Sequence, residues 1–298
     1  MSYKSVMDAN YPDERLSLAA QFRLAVAFLT RLPVPQDALD EGSDDIDDEP
    51  DPVPLDPARD PAQLAAAMWL FPLVGFGIGG TGAIVLALLS WAGVPGLAAS
   101  AIAVGAIIWL TGALHEDGLS DVADGFGGGR DTATKMAIMR DSRLGAYGAV
   151  ALGITLIAKI AALGALAELN PGAAAGALIA AATWSRAMFA PTMRWLEPAR
   201  TDGVGAGAGT PREGTSWTGL LLGAALALLV LMTPAGAGVF VVLIAGGLGA
   251  FAVGWIALRQ IGGYTGDVLG AGQQIAETAA LVAACAVIPH VTLLEHTV

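Results

Sequence analysis

The chain has 298 residues, 55% of them hydrophobic and only 14% charged, with a mean hydropathy of +0.62. A soluble domain carries about 25% charged residues, so the composition excludes an ordinary soluble enzyme and indicates an integral membrane protein. The net charge of −12 is a local property: eleven acidic residues fall between Asp37 and Asp60, and outside that stretch 16 acidic residues stand against 14 basic ones.

In chain order, residues 1–15 are polar and read as a disordered N-terminus with no cleavable signal. Residues 16–35 alternate apolar faces with Gln21, Arg23 and Arg31 and stop at Pro33-Val34-Pro35. This pattern predicts an amphipathic helix lying in the membrane interface. Residues 36–63 are acidic and proline-rich without apolar periodicity, the signature of a solvated linker. Residues 64–298 form the membrane bundle. Six apolar runs there qualify as spans, at about 65–92, 97–114, 148–168, 173–193, 217–232 and 237–258, with a seventh at about 276–294. Apolar runs of this length suit helices rather than a barrel. The predicted fold is therefore all-α, a polytopic membrane helix bundle of six to seven transmembrane helices plus the N-terminal amphipathic helix. The 39 glycines predict close packing between helices. The lone Cys285 sits in an apolar helix and forms no intramolecular disulfide.

The connections differ in charge. Those at 92–96, 168–172 and 233–236 contain no Lys or Arg. The others carry Arg130, Lys135, Arg140 and Arg143, then Arg194, Arg200 and Arg212, then Arg259. The positive-inside rule places the basic loops in the cytoplasm. The expected location is a bacterial cytoplasmic membrane, multi-pass, with the site on the cytoplasmic side.

The densest chemistry lies in His115-Glu116-Asp117-Gly118-Leu119-Ser120-Asp121-Val122-Ala123-Asp124-Gly125. Asp117, Asp121 and Asp124 are spaced i, i+4, i+7, which on a helix puts three carboxylates on one face within roughly 10 Å. Like charges so close need solvation or cations. Hard carboxylate oxygens suit Mg²⁺ or Mn²⁺, and Mg²⁺ commonly uses few protein carboxylates together with substrate phosphates. No His/Cys set has zinc-like spacing, and His115-Glu116 does not open an H-E-x-x-H motif.

A second motif, Met139-Arg140-Asp141-Ser142-Arg143-Leu144-Gly145, holds two arginines three residues apart that can fork onto phosphate oxygens. Asp141 between them can orient an arginine or reach a metal. A third, Gly262-Gly263-Tyr264-Thr265-Gly266-Asp267-Val268-Leu269-Gly270-Ala271, offers close backbone approach and a further carboxylate at the same side. The glycine-rich stretch from Arg200 to Arg212 reads as a flexible loop. Lys159 and Arg186 fall inside predicted spans, where ionisable residues usually face the bundle interior and mark a site.

Taken together, these three motifs in this order resemble the cobalamin synthase family, the adenosylcobinamide-GDP ribazoletransferases. Arg31-Leu32-Pro33-Val34-Pro35 and Phe71-Pro72-Leu73-Val74-Gly75 fit the same pattern, and the resemblance runs from about residue 20 to the carboxyl end. The acidic stretch 37–60 departs from it. The resemblance implies transfer of the adenosylcobinamide-phosphate moiety of adenosylcobinamide-GDP to α-ribazole or its 5′-phosphate, with Mg²⁺ as cofactor and GMP released. It implies Asp117, Asp121, Asp124 and Asp267 as metal ligands and Asp121, Asp124, Arg140 and Arg143 as catalytic groups. His115, Asp141, Ser142, Arg186, Gly266 and Asp267 would contact substrate, and Glu116 has no essential role. Expected partners are these substrates and membrane lipid; no nucleic acid is expected, and a homo-oligomer is compatible. Two other readings stay open at this point. A CDP-alcohol phosphotransferase would use a similar aspartate cluster, although the Ala-Arg it needs after Asp117-Gly118 is missing. An ion-coupled transporter would account for Lys159 and Arg186.

Overall fold

The computed structural model describes residues 16–34, 61–200 and 210–295. The predicted disordered N-terminus and nearly all of the acidic linker lie outside these residues. Within them the chain is helical. The amphipathic segment forms α1 (Leu18–Leu29), capped by Ser17 and buried through Ala20, Leu24, Ala25 and Leu29. It is fastened to the bundle as well as amphipathic: Trp69 Nε1 donates to Gln21 Oε1 at 2.9 Å, and Phe28 stacks on Phe71 at 5.7 Å between centroids.

The bundle opens earlier than expected. Pro61 starts α2 (Pro61–Ala67), a position where its missing N–H costs nothing. One 3₁₀ turn leads into α3 (Phe71–Trp91). Then follow α4 (Gly96–Thr111), α5 (Leu114–Gly128), α6 (Thr132–Ile138), α7 (Ala146–Leu169), α8 (Pro171–Ala187) and α9 (Phe189–Trp195). The last three are α10 (Glu213–Ala235), α11 (Gly238–Ile261) and α12 (Gly266–Glu295). Six helical segments are long and apolar enough to cross a membrane, and a seventh crossing results if α4 and α5 count as one broken span. This agrees with the predicted count. The break is sharp: α5 leaves α4 at 91°, through Gly112 and Ala113, both in the left-handed region at φ +67° and +59°. Ala113 is the one non-glycine residue with positive φ among the described residues, a strained conformation.

α8 is the central post, with twelve of its 17 residues buried. Small residues allow this. Gly75 and Gly79 of α3, four apart, let the two backbones touch: a Cβ at Gly75 would lie 2.5 Å from the Ala182 carbonyl oxygen, and one at Gly79 2.7 Å from Ile179 Cα. Large apolar side chains point outward instead, among them Ile84, Ile157, Leu221 and Ile244. That is the inside-out burial expected of a lipid-facing surface. Trp91 and Trp109, at the far ends of α3 and α4, are almost fully exposed, as in an interfacial aromatic belt.

The largest departure from expectation is α12. It begins at Gly266, not near 276, so most of the predicted third basic loop is helix and the true connection is Gly262 to Thr265. Gln273, Gln274 and Glu277 are polar, which mimics a loop in the sequence, yet all three are buried.

Candidate active site

Three connections that sequence charge placed on one side do meet at one end of the bundle. Lys135 in α6 donates to Gln260 at the end of α11. The segment after α9 pairs with the α11–α12 turn: Ala199 N–H donates to the Tyr264 carbonyl at 2.8 Å and Tyr264 N–H to the Glu197 carbonyl at 2.9 Å. Arg200 Nη2 then reaches Asp267 Oδ2 at 2.8 Å.

The aspartate motif lies on α5, as the spacing predicted, and α5 runs along the first turns of α12. The approach needs glycine. A Cβ on Gly118 would fall 2.8 Å from the Asp267 carbonyl oxygen, and one on Gly270 3.3 Å from His115 Cα. These contacts bring Asp267 beside the motif. Asp121, half-buried, is within electrostatic reach of Asp117, Asp267 and Asp124 and of the Arg200 guanidinium.

The three motif aspartates are not equivalent. Asp117 is exposed and Asp121 half-buried, and among the described residues neither carboxylate accepts a hydrogen bond. Asp124 is buried with both oxygens occupied: Gly145 N–H donates to Oδ2 at 2.8 Å and Gly148 N–H to Oδ1 at 2.9 Å. These are orphan donors at the start of α7, so Asp124 caps that helix and ties the arginine loop to α5. Asp267 Oδ2 is also engaged, by Arg200 and by Thr265 Oγ1 at 3.2 Å.

The other predicted residues divide between the two faces of this layer. Arg140 and Arg143 stand exposed between α6 and α7, two to five residues before Gly145. Arg143 forks onto Asp141, with Nη2 at 2.5 Å from Oδ2, and this guanidinium holds the Asp141 carboxyl below its usual range. Ser142 is exposed between them, and Gly266 is exposed at the start of α12. His115 and Arg186 face inward. His115 is buried, edge-on to Phe189, and close to the charges of Arg186, Glu277 and Lys159.

That inner layer contains residues the sequence reading missed. Glu277 of α12 accepts from Lys159 Nζ of α7 at 2.8 Å, from Arg186 Nη1 of α8 at 3.1 Å and from Gln273 Nε2 at 2.6 Å. Gln274 accepts from Lys159 at 2.6 Å and donates to Glu116 of α5 at 2.9 Å. Four helices are thus joined through one buried carboxylate and two glutamines. A signal for this was present: Glu277 is an acid inside an apolar run, one helical turn after Gln273. Among the described residues, both His115 ring nitrogens, Glu116 Oε2 and Arg186 Nε are buried without a hydrogen-bond partner.

Among the described residues, no three His, Cys, Asp or Glu side chains are gathered into a metal cage. The donor set nevertheless fits Mg²⁺. Asp117 and Asp121 offer hard oxygens with no hydrogen-bond donor on them, beside Asp267, and Mg²⁺ takes few protein carboxylates when a substrate brings phosphates.

Residues 21–285 match a family model described as cobalamin-5-phosphate synthase. Among similar proteins, the adenosylcobinamide-GDP ribazoletransferase of Azorhizobium caulinodans is 41% identical over 266 residues, covering 89% of this chain and 95% of its own. The enzyme of the same name from Mesorhizobium japonicum is 45% identical over 221 residues, 74% of this chain and 83% of its own. That of Bradyrhizobium diazoefficiens is 40% identical over 271 residues, 91% and 95%. No solved structure matches the chain.

Proposed function

The chain belongs to the cobalamin-5-phosphate synthase family and is a transferase of cobalamin synthesis, and we propose that it joins adenosylcobinamide-GDP to α-ribazole or α-ribazole 5′-phosphate. A ribose hydroxyl oxygen of the acceptor forms a bond to the phosphorus nearer cobinamide. The bond from that phosphorus to the bridging oxygen breaks, and GMP leaves with the electron pair. The products are adenosylcobalamin, or its 5′-phosphate, and GMP.

The observation that carries this reading is the nearness of Asp117 and Asp121 on α5 to the Asp267–Arg200 pair at the start of α12, at the end of the bundle that also holds the Arg140–Arg143 loop. Transfer at a diphosphate needs charge neutralised, phosphates gripped and a hydroxyl held in line. In this proposal Asp117, Asp121 and Asp267 hold Mg²⁺, which when bound supplies charge neutralisation at the transferred phosphoryl group. A motif carboxylate takes the acceptor's hydroxyl proton. Arg140 and Arg143, exposed and close in sequence to the Asp124-anchored turn, reach for phosphate. Asp124 contributes by fixing that turn. Ser142 and Gly266, both exposed, would contact substrate from outside, whereas His115 and Arg186 lie buried in the layer of Glu277.

By the positive-inside rule, the basic loops that gather at this end support a cytoplasmic orientation in the inner membrane. Soluble nucleotide substrates are found there. Lys159 and Arg186, the charges that raised a transporter, are both paired with Glu277. The decisive experiment supplies purified protein in detergent with adenosylcobinamide-GDP, α-ribazole and Mg²⁺. Release of GMP equal to cobalamin formed is expected. Intact substrate, with no GMP, would refute the reaction.

A further inference from the structure

We infer that Arg200 is a phosphate-binding residue held on Asp267 until the diphosphate arrives, and that its transfer to phosphate frees Asp267 Oδ2 and the negative charge that Arg200 offsets. The inference rests on the proposed reaction for the nature of the ligand, and on the structure for the residue.

Arg200 is placed with little freedom. One residue before it, Ala199 is bonded to Tyr264, and Pro198 bridges to the same residue. Tyr264 is itself buried, and it directly precedes Thr265, which caps α12 by accepting from Val268 N–H at 3.2 Å. The guanidinium is therefore presented across the first turn of α12. It is a partly shielded group, 19% exposed against 23% for Asp267, whereas Arg143 is 86% exposed and engaged with its own neighbour. The Arg200 charge also reaches Asp121. Three carboxylates and one arginine thus share the space where a diphosphate would be handled.

The pairing has a chemical consequence. Asp267 Oδ2 accepts from Arg200 at 2.8 Å and from Thr265 at 3.2 Å, and the guanidinium offsets the carboxylate's charge, so Asp267 is a poorer cation ligand while Arg200 stays, although Oδ1 accepts no hydrogen bond among the described residues. A diphosphate offers a guanidinium several anionic oxygens in the planar, two-pronged geometry it binds best. Substrate and carboxylate then compete for one arginine. When phosphate wins, the released Asp267 oxygen becomes available to the divalent ion that accompanies the substrate. Arg200 would in this way couple metal uptake to substrate uptake.

The test uses the full-length protein in detergent, as wild type, Arg200→Ala, Arg200→Lys, Asp267→Asn and the Arg200→Ala/Asp267→Asn double variant. Mn²⁺ binding without substrate is read from the paramagnetic resonance of free Mn²⁺. KM and kcat are read from GMP release, and thermal unfolding is followed in parallel. Arg200→Ala should raise KM for adenosylcobinamide-GDP about 10- to 100-fold, the loss expected for charge-assisted bonds. Arg200→Lys should fall between, since lysine keeps the charge and loses the fork. In Arg200→Ala, Mn²⁺ should bind several-fold more tightly than in wild type, and the double variant should bind it as weakly as Asp267→Asn alone. A merely structural arginine would weaken both ligands and lower the unfolding temperature. Unchanged or weaker Mn²⁺ binding in Arg200→Ala overturns the inference, whether or not the wild type releases GMP. Absence of GMP from every variant, with tightened Mn²⁺ binding, would instead sink the reaction and leave Arg200 as the gatekeeper of Asp267.

Discussion

Glu277→Ala is the most informative perturbation of the interior, because the structure fixes what it leaves behind. Glu277 is 4% exposed and receives Lys159, itself 2% exposed, at 2.8 Å and Arg186, 1% exposed, at 3.1 Å. Removing the carboxylate strands two cations whose remaining hydrogen-bond acceptors are Gln274 for Lys159 and the Ala182 carbonyl for Arg186. Breaking a buried pair by removal of one partner costs about 3–5 kcal/mol. For a bundle of this size that corresponds to a fall in unfolding temperature of roughly 6–20 °C, on the scaling for domains of about 150–250 residues. Thermal unfolding of detergent-purified protein, followed by fluorescence-detected size exclusion, measures it. Lys159→Met made together with Glu277→Gln removes one charge of each sign. The double variant should recover about 1–3 kcal/mol relative to the sum of the single changes, since directly bonded groups couple by that amount. A Glu277→Ala protein that unfolds within about 2 °C of wild type, or a strictly additive double variant, would refute the view that this carboxylate holds α7, α8 and α12 together.

Asp121→Asn should abolish GMP release while the unfolding temperature stays within about 2 °C, because this carboxylate accepts no hydrogen bond among the described residues; turnover above a tenth of wild type at limiting Mg²⁺ would contradict it. Asp124→Ala should do the opposite first: it strips two N–H groups at the start of α7 of their acceptor and should cost about 1–2 kcal/mol of stability, read from the same melts. Deleting residues 40–58 should leave most activity, since that acidic stretch has one basic residue, Arg59, for its eleven acids; loss of GMP release from a folded deletion protein would give the segment a role in the site. In a Cys285→Ala background, Thr132→Cys, Thr210→Cys and Arg259→Cys should all resist an impermeant thiol reagent in intact cells and react in inside-out vesicles, and outside labelling of any one would place its loop across the membrane from the others.

Most of the helical plan was legible because a lipid environment permits so little else. Apolar runs of 16 to 29 residues, separated by Pro, Gly and Arg, fix helices to within a few positions. The misplacement of α12 has a physical cause. A sequence shows Gly270, Gly272, Gln273, Gln274 and Glu277 as a polar stretch. Only the packed bundle shows that Lys159 and Arg186, about a hundred residues earlier, supply the charges that let those side chains enter the interior. Polarity in a membrane chain marks either water or a buried partner, and pairing across 118 residues cannot be seen in local pattern. The turn of 91° between α4 and α5 was hidden for a related reason. Gly112 gives the break a plausible pivot, but Ala113 at φ +59° is a strained position imposed by tertiary packing and not a preference of alanine.

The candidate site was legible as chemistry and only half legible as roles. The i, i+4, i+7 spacing correctly put three aspartates along one helix. It could not show that α5 packs against α12 and α7, so that one end of the row is bare and the other end is used up. Asp117 has solvent on it, Asp121 has other carboxylates, and Asp124 has the first amides of α7. The same geometry sorts the arginines. Those judged from motif spacing, Arg140 and Arg143, lie exposed, with Arg143 forked onto Asp141, while Arg200 sits among the carboxylates because a two-residue backbone pairing with the α11–α12 turn carries it there. Charge on a helix face predicts that a cation is needed; which cation comes, and which carboxylate it leaves free, is decided by the backbone that delivers it.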